Sequence, residues 1–182
     1  CFSNKIKSVL TVLPTGGGKT VIFTYISQQS ALKNKRVMIL VHRVELLNQT
    51  SKALNNFDVE HGLINPKYTP NFNASVQVAS VQTLIKRLGY LSAVNWEPDI
   101  IVVDEAHHAT AGSWRKIINH FPNSKVLGVT ATPIRSDGQG LGVQCGGLFD
   151  ELIEGPTMPW LMDQGFLVRP RIFGTPEALD LS

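Results

Sequence analysis

Cysteine is almost absent from this chain, which has only Cys1 and Cys145 among its 182 residues. Two cysteines are too few for the disulfide framework of a small secreted domain. A chain of this length buries an adequate hydrophobic core without such cross-links. The scarcity of cysteine therefore favours a reducing compartment, and we expect a cytoplasmic protein.

Long apolar runs are missing as well. No segment approaches the roughly 18 to 20 consecutive apolar residues of a membrane-spanning helix, so no membrane partner is expected. Charge of one sign does not dominate either, since the formal net charge is +3 and the isoelectric point is about 9.0. These values permit a polyanionic partner such as nucleic acid without requiring one.

Apolar runs of strand length alternate with helical patterns, which is typical of an α/β domain whose mainly parallel sheet lies between helices on both faces. The predicted strands cover residues 8–13, 37–41, 76–79, 100–103 and 126–129. Helices are predicted from Lys19, after Arg43, after Ser80 as far as Gly89, behind Ser113 as far as Pro122, and over residues 157–164. The glycine-rich stretch 133–147 is predicted as a surface loop, and residues 167–173 as an extended segment that leaves the domain.

The run Pro-Thr-Gly-Gly-Gly-Lys-Thr stands between the first predicted strand and the first predicted helix. Its glycines let backbone N–H groups turn toward one point, and the start of the helix adds positive potential there, so the run predicts a cradle for a polyphosphate. Lys19 is expected to reach the outer phosphates and the Thr20 hydroxyl to ligate magnesium. The predicted nucleotide-binding residues are Thr15, Gly16, Gly17, Gly18, Lys19 and Thr20.

The run departs from the strict phosphate-binding motif at one position. The strict motif has a glycine six residues before the lysine, where this sequence has Leu13. The match is therefore to the shorter form, Thr-Gly-x-Gly-Lys-Thr. The alternative interpretation is a glycine-rich loop that is followed by Lys-Thr by chance.

Two adjacent carboxylates, Asp104 and Glu105, follow the apolar strand at 100–103. Ligands of parallel sheets bind at the carboxyl ends of the strands, so this pair is expected beside the phosphates. Asp104 is predicted to hold magnesium, directly or through water, and Glu105 to polarise the attacking water. The alternative is a solvated acidic turn.

Two histidines, His107 and His108, come directly after the acidic pair. Zinc usually takes three or four convergent nitrogen or sulfur ligands, and no cysteine pair lies near these histidines in the sequence. We therefore interpret His107 as a hydrogen-bonding relay and His108 as a loop residue.

Three motifs in order, Thr-Gly-Gly-Gly-Lys-Thr, Asp-Glu-Ala-His and Thr-Ala-Thr-Pro, resemble motifs I, II and III of superfamily 2 helicases and translocases. Residues 40–49 are similar to motif Ia and residues 78–84 to the motif Ib region. The chain most resembles bacterial and phage DEAD/DEAH-box-like proteins related to the helicase subunit of type III restriction enzymes. The resemblance implies a three-layer, RecA-like P-loop domain over residues 1–173 with a truncated start, and a linker at 174–182 toward a second RecA-like domain.

The resemblance also implies an activity, which is the hydrolysis of magnesium-ATP coupled to movement on nucleic acid or to its unwinding, with DNA favoured over RNA. Lys19, Asp104, Glu105 and His107 would be catalytic. Thr130 and Thr132 would couple the nucleotide state to the nucleic acid, and the contacts to the nucleic-acid backbone would come from Arg43, Ser80, Gln82 and Thr83. The alternative to these contacts is a purely structural role, in which Arg43 only begins its helix and Ser80 only caps the next helix.

Related motors close ATP between two RecA-like domains, and the second domain supplies the arginine fingers that stabilise the transition state. This sequence contains one such domain, so we expect it to bind ATP and to hydrolyse it slowly by itself. Two other functions remain open, namely a restriction-system translocase on double-stranded DNA and a nucleotide-gated nucleic-acid-binding module with negligible turnover.

Overall fold

The structure, a computed structural model, describes residues 6–68, 70–108, 112–134, 138 and 140–171. Its strands are β1 (Ser8–Val12), β2 (Val37–Val41), β3 (His61–Ile64), β4 (Val76–Ser80), β5 (Ile100–Asp104), β6 (Lys125–Thr130) and β7 (Glu151–Glu154). Its α-helices are α1 (Lys19–Ala31), α2 (Val44–Asn56), α3 (Val81–Ala93), α4 (Gly112–His120) and α5 (Met158–Asp163).

The seven strands form one sheet in the order β3-β4-β2-β5-β6-β1-β7. Every pairing between neighbouring strands is parallel. Parallel pairing brings the carboxyl ends of all the strands to one edge. That edge is where the motif residues gather.

Alternate residues of the central strands enter two separate cores. Met38 and Leu40 of β2 pack in one core with apolar residues of α3 and α4, whereas Ile39 and Val41 pack in the other with residues of α1 and α2. This division follows from the two-residue period of a strand, because successive side chains point to opposite faces of the sheet. The sheet therefore lies between two helical layers, which confirms the predicted three-layer α/β class.

The five predicted strands are confirmed as β1, β2, β4, β5 and β6, with ends that differ by at most one residue. Two further strands, β3 and β7, were not predicted. Each has four residues and lies at an edge of the sheet, and β7 is largely exposed. Neither strand has the continuous apolar run that identifies a strand buried on both faces. The short helix predicted at 157–164 is confirmed as α5, with the Thr157 side chain accepting a hydrogen bond from the backbone of Trp160.

The predicted end of one helix is wrong. α3 does not end at Gly89 but continues to Ala93. A glycine inside a helix costs only about 1 kcal/mol, and the burial of Leu91 beyond it offsets that cost. Ser80 is the N-cap residue of α3, as predicted, but its hydroxyl donates to Thr83 Oγ1 at 2.9 Å and caps no backbone N–H.

The stretch predicted as a surface loop at 133–147 is only partly exposed. Leu141 is buried and joins the core that α3 and α4 share, and Val143–Cys145 forms a single 3₁₀ turn. Residues 135–137 and 139 of that loop lie outside the described residues, as do 172–173 of the predicted extended segment and the linker at 174–182. In the described part of the chain, no helix is both long and apolar enough to cross a membrane.

Candidate nucleotide site and nucleic-acid face

The sheet register places three motifs side by side. β6 lies between β1 and β5, with Val12 paired to Thr130 and Asp104 paired to Val129. The Leu13 amide donates to the Thr130 carbonyl at 2.9 Å, so the chain leaves β1 for the glycine-rich loop right beside the end of β6. The loop, Thr130 and Asp104 therefore occupy consecutive positions along the carboxyl edge.

The glycine-rich loop has the backbone of a phosphate cradle. Gly16 and Gly18 have φ angles of +77° and +85°, which a residue with a Cβ rarely adopts. The Gly17 N–H donates to the Pro14 carbonyl at 2.9 Å and closes the turn. α1 then begins at Lys19, with no side-chain cap on its first N–H groups and no acidic residue in its first turn. Among the described residues, no side chain caps those N–H groups, so they are open to an anion.

The residues present also fit a magnesium ion. Burial and, next, the negative charge of Glu105 raise the pKa of Asp104 to about 6, against opposing contributions from the Glu105 N–H and Lys19. An aspartate that is costly to ionise by itself is stabilised by a nearby divalent cation. Magnesium prefers oxygen ligands, which the Asp104 carboxylate and the Thr20 hydroxyl supply. Lys19 lies close enough to Asp104 for its positive charge to lower the pKa of that carboxyl.

Glu105 has a strained backbone, with a φ angle of +50°. Its N–H donates to Asp104 Oδ1 at 3.0 Å. Its carboxylate lies 3.3 Å from His107 Nδ1, measured to Oε2. The turn after β5 therefore directs the Glu105 carboxylate toward His107.

The Thr130 hydroxyl links the acidic motif to the third motif. It donates to the Thr132 carbonyl at 2.9 Å and accepts from the Thr132 N–H at 3.2 Å. His107 Nδ1 lies 3.0 Å from the same oxygen, and His107 is the donor in the tautomer that carries the proton on Nδ1. The predicted relay and coupling residues thus form one hydrogen-bonded group.

His108, which we expected to be a plain loop residue, instead lies between two other rings. Its centroid is 4.1 Å from that of His107 and 4.5 Å from that of His42, which follows β2. Burial first, and then the charge of a neighbouring histidine, lowers the pKa of both His42 and His108. The three rings connect the ends of β5 and β2, a contact that the spacing in the sequence did not indicate.

The four residues predicted to contact nucleic acid lie on the same edge but differ in exposure. Arg43 is exposed at the start of α2, Gln82 is exposed and Thr83 is half-buried on α3. Ser80 is only 1% exposed, and its hydroxyl is already bonded to Thr83, so it is poorly suited to contact a phosphate. Ser80, Gln82 and Thr83 all line a cavity of about 420 Å³.

Two basic residues that the sequence analysis did not single out line the same cavity, Lys86 and Arg87. They follow Gln82 and Thr83 by four residues, which places them one turn further along the same side of α3. Neither forms an ion pair with another residue in the described part of the chain. The sequence could have indicated Lys86 and Arg87 by this four-residue spacing and by the lack of any acidic residue between 81 and 93.

The chain is similar to proteins with helicase names. It is 34% identical to IRC3 of Saccharomyces cerevisiae, whose name describes an ATP-dependent helicase, over 97% of the chain and 27% of IRC3. It is 29% identical to the DNA 3'-5' translocase XPB2 of Sulfurisphaera tokodaii, over 74% of the chain and 29% of XPB2. The fold is similar to that of the UvsW helicase from bacteriophage T4, with a TM-score of 0.67 and 22% identity, covering 82% of this chain and 55% of UvsW.

The fold, the site and these similarities define a RecA-like domain of the superfamily 2 helicase type. More specifically, residues 1–135 match the family described as type III restriction enzyme, res subunit, and the chain belongs to that family. The chain spans about a third or less of the length of the curated relatives that it matches.

Proposed function

We propose that this domain binds magnesium-ATP and forms half of a two-domain motor that couples ATP hydrolysis to movement on DNA or to its unwinding. The observation that carries the proposal is the alignment of the phosphate loop, Thr130 and the Asp104–Glu105 pair along one edge of the sheet. A phosphate loop beside paired carboxylates is the arrangement that phosphoryl transfer to water requires.

Each side chain of the site has a role in that reaction. Lys19 and the N–H groups of the loop would hold the outer phosphates, and Thr20 and Asp104 would hold magnesium, which neutralises charge on the phosphate oxygens when it is bound. Glu105 would polarise the attacking water. The His107 ring lies beside Glu105 Oε2 at 3.3 Å and would keep that carboxylate in position.

The coupling of the reaction to nucleic acid would begin at Thr130. Its hydroxyl bonds both His107 and the backbone of Thr132, so a shift of the acidic motif moves the third motif as well. The contacts to the nucleic-acid backbone would come from Arg43, Gln82 and Thr83, joined by Lys86 and Arg87. Contacts to phosphates are independent of sequence. One relative is named a DNA translocase and another, equally identical, an RNA helicase, so the choice of DNA is decided by the turnover assay below.

A comparison of ligand binding tests the nucleotide part of the proposal. Lys19→Ala removes the loop's only side-chain cation, so affinity for magnesium-ATP should fall at least about tenfold, as expected for the loss of a charged hydrogen bond. Lys33→Ala is the matched control, because Lys33 is an exposed lysine just beyond the other end of α1. Equal affinity of the two variants, measured by calorimetry, would contradict the phosphate-cradle assignment.

Turnover measurements test the motor part. The 182-residue domain should bind ATP yet hydrolyse it much more slowly than a protein that also carries the second RecA-like domain, assayed with and without DNA or RNA. Equal turnover would mean that catalysis is complete within this domain. Stimulation by RNA alone would overturn the proposed DNA preference.

Two other functions would give different results with the longer protein. A translocase on double-stranded DNA would displace a triplex strand without separating the duplex. A nucleotide-gated binding module would bind nucleic acid in an ATP-dependent way without measurable turnover. A cytoplasmic location is part of the proposal and rests on the scarcity of cysteine, of which Cys145 is free and exposed.

A further inference from the structure

Two histidines without a role in the proposed reaction connect the acidic motif to the start of α2. His108 ends the single 3₁₀ turn Ala106–His108 that follows the acidic pair, and its ring centroid lies 4.5 Å from that of His42. His42 follows β2 directly and precedes Arg43, the N-cap residue of α2. The ring contact therefore bridges the turn that holds the proposed water-activating group and a proposed nucleic-acid contact.

One end of this bridge is bonded directly to Glu105. The His108 N–H donates to the Glu105 carbonyl at 2.9 Å. The Glu105 carboxylate lies 3.3 Å from His107 Nδ1, and the His107 ring in turn lies 4.1 Å from the His108 ring, measured between centroids. A displacement of Glu105 that accompanies a change at the nucleotide therefore displaces His108 as well.

The backbone of Glu105 is strained in a way that its residue type does not explain. Four non-glycine residues in the described part of the chain have a positive φ angle, and the other three are Asn34, Asp58 and Asn95. Asparagine and aspartate tolerate that conformation, whereas glutamate rarely adopts it. Strain of this kind is found at active sites and switch regions, where it belongs to the mechanism. The turn after β5 is therefore an element whose shape can respond to the nucleotide.

The His42 ring packs at the other end of the bridge with one nitrogen unsatisfied. Its Nδ1 atom is buried and has no hydrogen-bond partner in the described part of the chain. Burial first, and then the charges of His108 and Arg43, lowers the pKa of His42, so an uncharged ring packs against His108 at neutral pH. An apolar ring of similar shape would avoid the cost of the unpaired nitrogen. The stability of the fold therefore does not account for histidine at this position.

His108 lies within electrostatic reach of charged groups at both ends of the bridge. Burial is the first cause of its lowered pKa and the charge of His107 the second, while Glu105 raises this pKa and Arg43 lowers it. The carboxylate of the acidic motif and the guanidinium at the start of α2 are therefore both close to one ring.

We propose that His42 and His108 are positioning residues that couple the nucleotide site to the nucleic-acid contact at Arg43. The inference rests on the proposed function, and it adds a second path to the one through Thr130 and Thr132. When the turn after β5 changes shape with the nucleotide, the His108 ring shifts against the His42 ring, and the start of α2 shifts with it. Neither histidine touches the phosphates or the nucleic acid, so neither is catalytic.

The coupling is measured as a ratio of two affinities. One is the affinity for an oligonucleotide, DNA or RNA according to which stimulates turnover, in the presence of a non-hydrolysable magnesium-ATP analogue, and the other is the affinity in its absence. His42→Ala and His108→Ala should each bring this ratio at least about twofold closer to one in a protein that carries both motor domains. The double variant should change the ratio no further than either single variant, because both side chains act through one contact.

Two further variants serve as rescue and control. His42→Phe keeps a ring at the contact and should retain the parent ratio. His120→Ala removes an exposed histidine that ends α4 at the opposite edge of the sheet and whose ring lies 4.9 Å from that of Phe121, so it should leave the ratio unchanged. His108 is exposed, so His108→Ala is expected to fold even if His42→Ala is destabilised.

A merely structural role of the two histidines gives a different result. The substitutions would then lower stability, or would weaken nucleic-acid binding equally with and without nucleotide, and the ratio would stay at its parent value. The parent ratio in both His42→Ala and His108→Ala overturns the proposal, as does an equal change in His120→Ala. A parent protein whose nucleic-acid affinity does not respond to nucleotide would instead contradict the proposed function, and this inference with it.

Discussion

His107 Nδ1 and the Thr130 hydroxyl oxygen lie 3.0 Å apart and are hydrogen-bonded. This bond joins the turn after β5 to the end of β6, which is the strand between the acidic motif and the phosphate loop. Thr130 is fully buried, and its hydroxyl has three partners within hydrogen-bonding distance. This hydrogen bond is therefore expected to affect both the stability of the domain and the proposed coupling of the nucleotide state to the nucleic acid.

Replacing Thr130 by Val should destabilise the domain by about 1–3 kcal/mol, because His107 and the Thr132 N–H lose a buried partner. Thr24→Val is the matched control. Thr24 is equally buried, and its hydroxyl oxygen has no partner in the described part of the chain. That variant should be neutral or slightly stabilising in urea unfolding. Equal effects of the two substitutions would show that the hydrogen-bonded group contributes nothing to stability.

Glu105→Gln keeps the shape of the side chain and removes the base. Hydrolysis of ATP should fall about 10²- to 10⁴-fold in a protein that carries both motor domains, the range for the loss of a general base. Binding of magnesium-ATP should survive, because Thr20, Lys19 and Asp104 are unchanged. Pre-steady-state hydrolysis and equilibrium binding of ATP measure the two effects separately. Normal hydrolysis by the variant would mean that another group activates the water.

The stability of the metal-free domain should decrease as the pH rises from about 4 to above 6. The pKa of Asp104 is raised from 3.8 to about 6, mainly by burial. Between these two pH values the folded state holds a proton on Asp104 that the unfolded state has already lost. The stability that this proton contributes is therefore fully present below pH 3.8 and is lost as the pH rises through 6. The difference corresponds to at most about 3 kcal/mol.

Asp104→Asn tests this pH dependence, because it removes the ionisable group without changing the shape of the side chain. The variant should be more stable than the parent above pH 6 and should lack the decrease. Asp58→Asn, at an exposed site, is the control and should keep the decrease in stability with rising pH. Magnesium with nucleotide should restore stability to the parent above pH 6 and not to the Asp104→Asn variant. A parent whose stability is constant across this range would contradict the burial of Asp104.

Arg87→Ala should weaken nucleic-acid binding and reduce its dependence on salt. If Arg87 neutralises one phosphate, the slope of log K against log salt concentration should fall by about 0.9 on duplex DNA, or about 0.7 on a single strand. Lys33→Ala removes the same charge from the opposite edge of the sheet and should leave the slope unchanged. An unchanged slope in Arg87→Ala, from titrations at several salt concentrations, would exclude Arg87 from the nucleic-acid face.

The sequence by itself determined the central strands and the glycine-rich loop. A strand that is buried on both faces needs a continuous apolar run, so β2 and β5 were visible as Val-Met-Ile-Leu-Val and Ile-Ile-Val-Val. The phosphate loop was equally visible, because only glycine readily adopts the positive φ angles of Gly16 and Gly18.

Only the tertiary structure decided which distant residues meet. The edge strands β3 and β7 are short and bury little, so their pairing depends on neighbours that are already in the sheet. The contact between His42 and His108 exists because β2 and β5 are adjacent in space, although the two histidines are 66 positions apart in the sequence. The approach of Leu167 to Gly16 likewise depends on β7 pairing beside β1. Local patterns record which face of an element is buried, whereas the order of strands in a sheet is set by packing of the whole chain.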